Sequence, residues 1–192
     1  MHTPLERLQA TTTSACTVGF LMCTLYALSS YGIHHVYPPN PTSSIAVKAV
    51  RLNQRTVNAT NNRKHDAASL ELHIEGDFRS VFHWNVKQVY ISCVASYVTE
   101  AFALNEVVVW DRIVQNPSEA LFVIDVPSKY CLEDIGDSLR NREVTFLLEW
   151  HVLPFVGIPF IYRSTRPSER TTIRMPAEYD FSLPNFFKTF MP

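Results

Sequence analysis

A chain of 192 residues with 17 Lys+Arg against 18 Asp+Glu has a formal net charge of −1. That balance, spread without blocks, excludes the basic footprint a nucleic-acid binder needs, and 12% aromatic residues exclude a largely disordered chain. Four cysteines, Cys16, Cys23, Cys93 and Cys131, with no C-x-x-C among them, are too few and too scattered for a disulfide scaffold or a zinc fold.

Residues 1–13 form a short polar leader in which Glu6 and Arg7 cancel. From Leu8 to Val47 no Asp, Glu, Lys or Arg occurs, and within that run residues 14–33 are the most continuously apolar. Twenty residues of α-helix rise about 30 Å, the thickness of bilayer hydrocarbon. Two readings of the segment stay open. One is a retained transmembrane anchor. The other is a cleavable signal peptide, because Val18–Leu28 has the length of a signal h-region and Ala27-Leu28-Ser29 sets small residues where a signal peptidase reads. For an anchor, the α-amino group on one side and the lack of charge on the other until Lys48 favour a cytosolic N-terminus and a luminal remainder.

Ala15, Gly19, Cys23 and Ala27 lie four apart, a stripe of small residues that lets a second membrane helix approach closely. Small residues are also common in membrane helices that pack against nothing. Residues 34–43 read as a juxtamembrane linker in which Pro38-Pro39-Asn40-Pro41 stops the helix. Tyr26, Tyr31 and Tyr37 suit the membrane–water boundary. His34-His35 lacks any nearby Cys, Asp or Glu, so a metal site is not expected there.

Residues 44–180 change to a period of two. Ile45–Leu52 reads as a strand, 53–67 as a polar loop, and Leu70, Leu72 and Ile74 alternate with Glu71, His73 and Glu75 as a half-buried strand with His73 facing solvent. The loop carries the triplet Asn58-Ala59-Thr60, an N-glycosylation acceptor if this part is luminal. Val86–Val98 and Leu104–Val114 are rich in β-branched and aromatic residues, as central strands are. Leu121–Val126 and Val144–Leu153 follow, the latter with Phe146, Leu148, Trp150 and Val152 on one face, and Arg170–Met175 reads as a last edge strand. About seven strands with little helical periodicity predict a mainly β chain: one N-terminal transmembrane helix, then an antiparallel β-sandwich-like domain. Cys93 and Cys131 could pair in an oxidising lumen, or pack as small hydrophobes. The tail 181–192, with Phe181, Phe186, Phe187 and Phe190, could pack on the domain, meet the membrane or touch a partner.

No catalytic motif is present. There is no G-x-S-x-G, S-x-x-K or H-E-x-x-H, and five glycines form no phosphate-cradling loop. Ser92, His83 and Asp111 stand isolated, and structural roles are expected for them. Neither a cofactor nor a metal is expected.

Three blocks carry a family resemblance. They are Trp84-Asn85-Val86-Lys87-Gln88; Ala103 to Val114, with Asn105, Trp110 and Asp111; and Val144 to Pro154, with Trp150, followed closely by Gly157. In this order downstream of one N-terminal apolar segment, they resemble subunit 3 of the eukaryotic signal peptidase complex, over about residues 8–180. The resemblance implies a single-pass endoplasmic reticulum protein with a cytosolic N-terminus and a luminal domain. It also implies a non-catalytic subunit, with the serine nucleophile and its histidine in a separate protease subunit that this one binds and stabilises for removal of signal peptides. Its partners would then be that protease and the other membrane subunits, and the apolar segment would be retained. Family members often carry a glycosylation acceptor just before the Val-Thr of the late strand; Glu143 stands there in this chain, which leaves Asn58 as the available acceptor.

Overall fold

The computed structural model describes residues 3–56, 64–134 and 138–180. Asn58 and the Phe-rich tail 181–192 therefore lie outside the described residues. The N-terminal segment is a single helix, α1, from Pro4 to Val36. It starts inside the polar leader because the leader supplies a complete cap. The Thr3 hydroxyl accepts from the Glu6 amide at 3.4 Å, the Glu6 carboxylate accepts from the Thr3 amide at 2.9 Å, and Pro4 occupies the first turn, where its missing N–H costs nothing. Thr11, Thr12, Thr13, Thr17 and Thr24 turn their hydroxyls back onto carbonyls of the preceding turn, so these five hydroxyls are satisfied within the helix. Among the described residues α1 is the one helix long and apolar enough to cross a membrane. It continues three residues past Ile33, and the Tyr37 amide closes it on the Ile33 carbonyl at 2.8 Å before Pro38. What remains between helix and first strand is only residues 37–41, where the Asn40 side-chain oxygen accepts from the Arg166 guanidinium.

Nine strands follow among the described residues: β1 (Thr42–Thr56), β2 (Lys64–Asp77), β3 (Val86–Tyr97), β4 (Asn105–Val114), β5 (Leu121–Pro127), β6 (Leu132–Glu133), β7 (Glu143–Pro154), β8 (Phe160–Arg163) and β9 (Thr171–Arg174). One sheet runs β1-β2-β5 with β6 also on β2, and the other runs β4-β3-β7-β8 with β9 also on β7. Every pairing is antiparallel, so the expected two-sheet β architecture is found.

The core lies between the sheets. Ile45, Leu52, Leu70, Leu72, Ile74 and Phe122 come from the first sheet, and Val89, Ile91, Cys93, Phe146, Leu148 and Val152 from the second. Alternation along β3 decides this: odd positions 89 to 97 are all buried in the core, whereas Tyr90 and Ser96 lie on the outer face. One irregularity is legible only in three dimensions. Cys93 pairs with Trp110 but Val94 with Val108, so Val109 is an extra residue on β4, and the bulge lets consecutive Val109 and Trp110 both turn inward. Cys93 and Cys131 are free thiols rather than a disulfide; Cys93 is fully buried and Cys131 donates weakly to the Ala68 carbonyl.

The polar stretch 53–67 departs from expectation. It is not a loop throughout, because β1 runs to Thr56 and β2 starts at Lys64, with Asn53 opposite Ala67 and Thr56 opposite Lys64. Polar residues can continue this ladder because donors from elsewhere meet them. Buried Asp66 accepts from the Leu139 amide at 3.1 Å and from the Tyr179 hydroxyl at 2.7 Å. β6 and β8, with two and four residues, are too short to show a period.

Gly76 marks a tight point in the core. A Cβ there would meet the Phe78 ring at 2.5 Å and the Phe122 ring at 3.2 Å, and those two rings are stacked 6.0 Å apart with Phe78 fully buried. Gly76→Ala is expected to lower unfolding stability by about 1–3 kcal/mol through overpacking, read as a lower urea midpoint by intrinsic fluorescence of the detergent-solubilised chain.

Candidate functional site

The last turns of α1 meet one end of the β-domain through a cluster of aromatic and polar side chains. Along most of its length α1 is exposed, but Ser30 and His34, one turn apart, are buried. His34 faces the start of β8 and the segment leading into β3, and Ala27, two turns earlier, faces the turn between β7 and β8. His34 stacks on Phe160 with centroids 4.0 Å apart, Tyr31 lies 6.2 Å from the same ring, and Tyr26 meets Trp84 edge-on at 4.6 Å.

Two backbone features let the helix come this close. Gly157 has φ +120°, a conformation side chains disfavour, and the place of its absent Cβ is 3.5 Å from the Ala27 Cβ. Ala27 in turn is small enough to receive it. Asn85, almost fully buried, fixes the turn: its amide donates to the Val156 carbonyl at 2.8 Å and accepts from the Val156 amide at 3.2 Å, while the Phe155 amide donates to the Asn85 carbonyl at 2.9 Å. A side chain that mimics a backbone partner in this way turns an irregular loop into a defined surface.

Across the junction runs a short polar relay. The Asn85 amide lies 3.3 Å from His83 Nδ1, His83 Nε2 lies 3.0 Å from His34 Nε2, and His34 Nδ1 lies 2.8 Å from the Tyr162 hydroxyl. The backbone donor fixes the protonation pattern. Nδ1 of His83 must accept, so its Nε2–H donates to His34, whose own Nδ1–H donates to Tyr162. Both rings are neutral in this pattern. Burial pulls the His83 pKa below the ordinary imidazole range, in the same direction. Tyr162 lies 6.1 Å from the core ring of Trp150, which meets Phe78 at 5.6 Å, so the relay is backed by the sandwich core.

The residues singled out from sequence distribute over several places. Trp84, Asn85 and Pro154 belong to the junction, Pro154 pairing with Val86 at the end of β7. Lys87 is exposed in the bulge between the Val86 and Gln88 pairs. Trp110 and Trp150 are core. Asn105 donates to the Tyr97 carbonyl and the Thr99 hydroxyl, each at 3.3 Å, and so ties the β3–β4 turn. Asp111 pairs with Lys129 at 3.2 Å on the outer face of the larger sheet. Of the small-residue stripe, Ala27 meets Gly157, whereas Ala15, Gly19 and Cys23 are exposed.

Ser92, His83 and Asp111 are engaged with different groups, the Ser92 hydroxyl donating to the Glu149 carbonyl at 3.4 Å. No three His, Cys, Asp or Glu side chains among the described residues converge as a metal-binding group. Sequence reasoning missed Ser30, Phe160 and Tyr162, and named Gly157 only as following the late block. The available signal was the eleven-residue uncharged stretch from Val152 to Tyr162, which mirrors the uncharged run of the helix.

Comparison with known proteins returns one consistent picture. A family model described as "Signal peptidase subunit" matches residues 1–178. Signal peptidase complex subunit 3 of Caenorhabditis elegans is 30% identical over 181 residues, covering 93% of this chain and 97% of that protein. The protein of the same name from Drosophila melanogaster is 29% identical over 185 residues, again with 93% and 97% covered. The one from Gallus gallus is 39% identical over 117 residues, covering 60% and 65%.

The relay makes the junction sensitive to acid. A histidine whose folded pKa is depressed contributes stability that is complete above its unfolded pKa, about 6.5, and is lost as pH falls through the folded value. Lowering the pH of the detergent-solubilised chain from neutrality to below 6 is therefore expected to red-shift Trp84 emission as the helix end loosens. His83→Gln combined with His34→Gln, which leaves no titrating ring in the relay, should remove that transition.

Proposed function

The chain belongs to the signal peptidase complex subunit 3 family, and from that premise we propose that it is a non-catalytic, membrane-anchored subunit that holds the catalytic serine protease subunit in working form. The observation that carries this reading is the match along nearly the whole chain, helix and both sheets together. Residues 14–33 of α1 are the transmembrane segment, residues 1–13 are cytosolic, and the β-domain of residues 44–180 is luminal.

The junction supports retention of the helix over its removal as a signal peptide. A peptidase acts on an extended segment. Here Ala27-Leu28-Ser29 is helical, with Ala27 against Gly157 and Ser30 buried immediately after it. Cleavage there would strip the β-domain of a surface it has folded around. Along the rest of the helix, Ala15, Gly19 and Cys23 are free of the β-domain and suited to packing against a helix of another subunit.

The protease subunit is proposed to dock on the edge strand β4. Among the described residues that strand is paired with one strand, β3; its Val109 carbonyl is taken by the Tyr130 amide at 3.0 Å, and the outward backbone groups on either side can accept a partner strand, with Val108 and Ile113 exposed along it and Leu104 just before it. Immunoprecipitation of the tagged chain from mild detergent is expected to recover a small membrane serine protease, and the mature chain to retain its residues N-terminal to Ser30. Val108→Asp combined with Ile113→Asp should abolish that recovery while leaving the chain membrane-bound and folded. Failure of the wild-type chain to recover any protease would overturn the proposal.

A further inference from the structure

The junction has a level as well as a composition. From Ala27, where the β7–β8 turn touches the helix, to Ile33, where the apolar segment ends, an α-helix rises about 9 Å. The turn therefore sits beside the helix within the apolar segment and not beyond its end. Its side chains match that position: Phe155 is 66% and Ile158 77% exposed, and Trp84, against Tyr26 at the same level, is 49% exposed. No charged residue occurs between His151 and Arg163. Lys87, three residues after Trp84, is the nearest exposed cation along that segment.

We propose that the turn 155–159, with Trp84, is a membrane-interfacial tip that enters the luminal leaflet beside α1, Phe155 and Ile158 meeting acyl chains. This rests on the reading that α1 spans the bilayer. Two placements of the span are possible for a helix docked this way. If the tip stayed in water, the hydrocarbon would have to cover residues 8–25 instead, taking Gln9 and Thr11 to Thr13 into lipid while leaving Phe155, Ile158 and Trp84 in water. If the tip enters, the span stays on residues 14–33, the threonines remain at the aqueous end, and the exposed apolar side chains are covered. The second placement buries more apolar surface and keeps Gln9 and the Thr11 to Thr13 run out of lipid. The depth of about 9 Å is that at which interfacial apolar groups reside, and tryptophan favours this zone. Asn85 partners the base of this uncharged turn, satisfying the Val156 amide and carbonyl and the Phe155 amide.

The test uses the full chain in phosphatidylcholine vesicles in which part of the lipid is brominated near the headgroup end of one acyl chain. Trp110 and Trp150 are buried in the core, so quenching of tryptophan emission by bromine is expected in the wild type and lost in Trp84→Phe. Equal emission with and without brominated lipid in the wild type would overturn the tip. Alkaline carbonate extraction of the same vesicles separates the two ideas: a chain that washes off refutes the spanning helix, and with it the tip, whereas a chain that stays bound but unquenched refutes the tip alone. A benzophenone amino acid in place of the exposed Ile158, photoactivated in microsomes with the assembled complex, is expected to give no protein adduct. A defined adduct to another polypeptide would mean that a protein covers the turn, and would overturn lipid as its occupant.

Discussion

The arrangement depends on one contact, the docking of Ala27 and His34 against the β7–β8 turn and β8. It is assembled from unlike parts: a glycine whose positive φ no other residue adopts easily, an asparagine that replaces a backbone partner, and two neutral histidines aligned by a backbone amide. No single part supplies much energy. A neutral hydrogen bond nets about 1 kcal/mol, and a stacked aromatic pair a similar amount. Their value is geometric, since each fixes a different degree of freedom of the helix relative to the sheets.

This contact gives parts of the first and last family-like blocks a common rationale. Trp84, Asn85, Pro154 and Gly157 are distant along the chain from the helix and from each other, yet they form one surface under its last turns. Trp150 extends that surface into the core through Tyr162. Residues in a protein without an evident reaction can thus be tightly specified by an internal joint, with the burden on shape and partnered polar groups and not on an activated nucleophile.

Much of the fold was legible in the sequence because burial imposes clear periods. Leu70, Leu72 and Ile74 on β2 and Phe146, Leu148, Trp150 and Val152 on β7 announce their inward faces by alternation alone. The helix was legible from its lack of charge. Its extent was not, because the Thr3–Glu6 cap begins it early and packing onto Phe160 carries it past Ile33. The polar continuation of β1 and β2 was hidden because its partners, Leu139 and Tyr179, come from far along the chain. The bulge at Val109 was hidden because a run of apolar residues reads the same with or without an extra residue. At the junction the blocks were recognised as similar to a family, but their convergence was not, since the His34–His83 contact is between residues that look like an ordinary linker and an ordinary turn. Complementarity between distant segments leaves no periodic trace.

The shortness of the connection between helix and first strand has a mechanical consequence. With residues 37–41 tied down through Asn40 and the last turns of α1 clamped on β8, helix and domain move as one lever rather than as a bead on a string. A helix of 33 residues, about 50 Å long, is longer than the hydrocarbon it would cross and adjusts to bilayer thickness by tilting. Any change in tilt would then swing the whole β-domain through the same angle, so that its exposed edge β4 is presented at a bearing set by the thickness of the surrounding membrane.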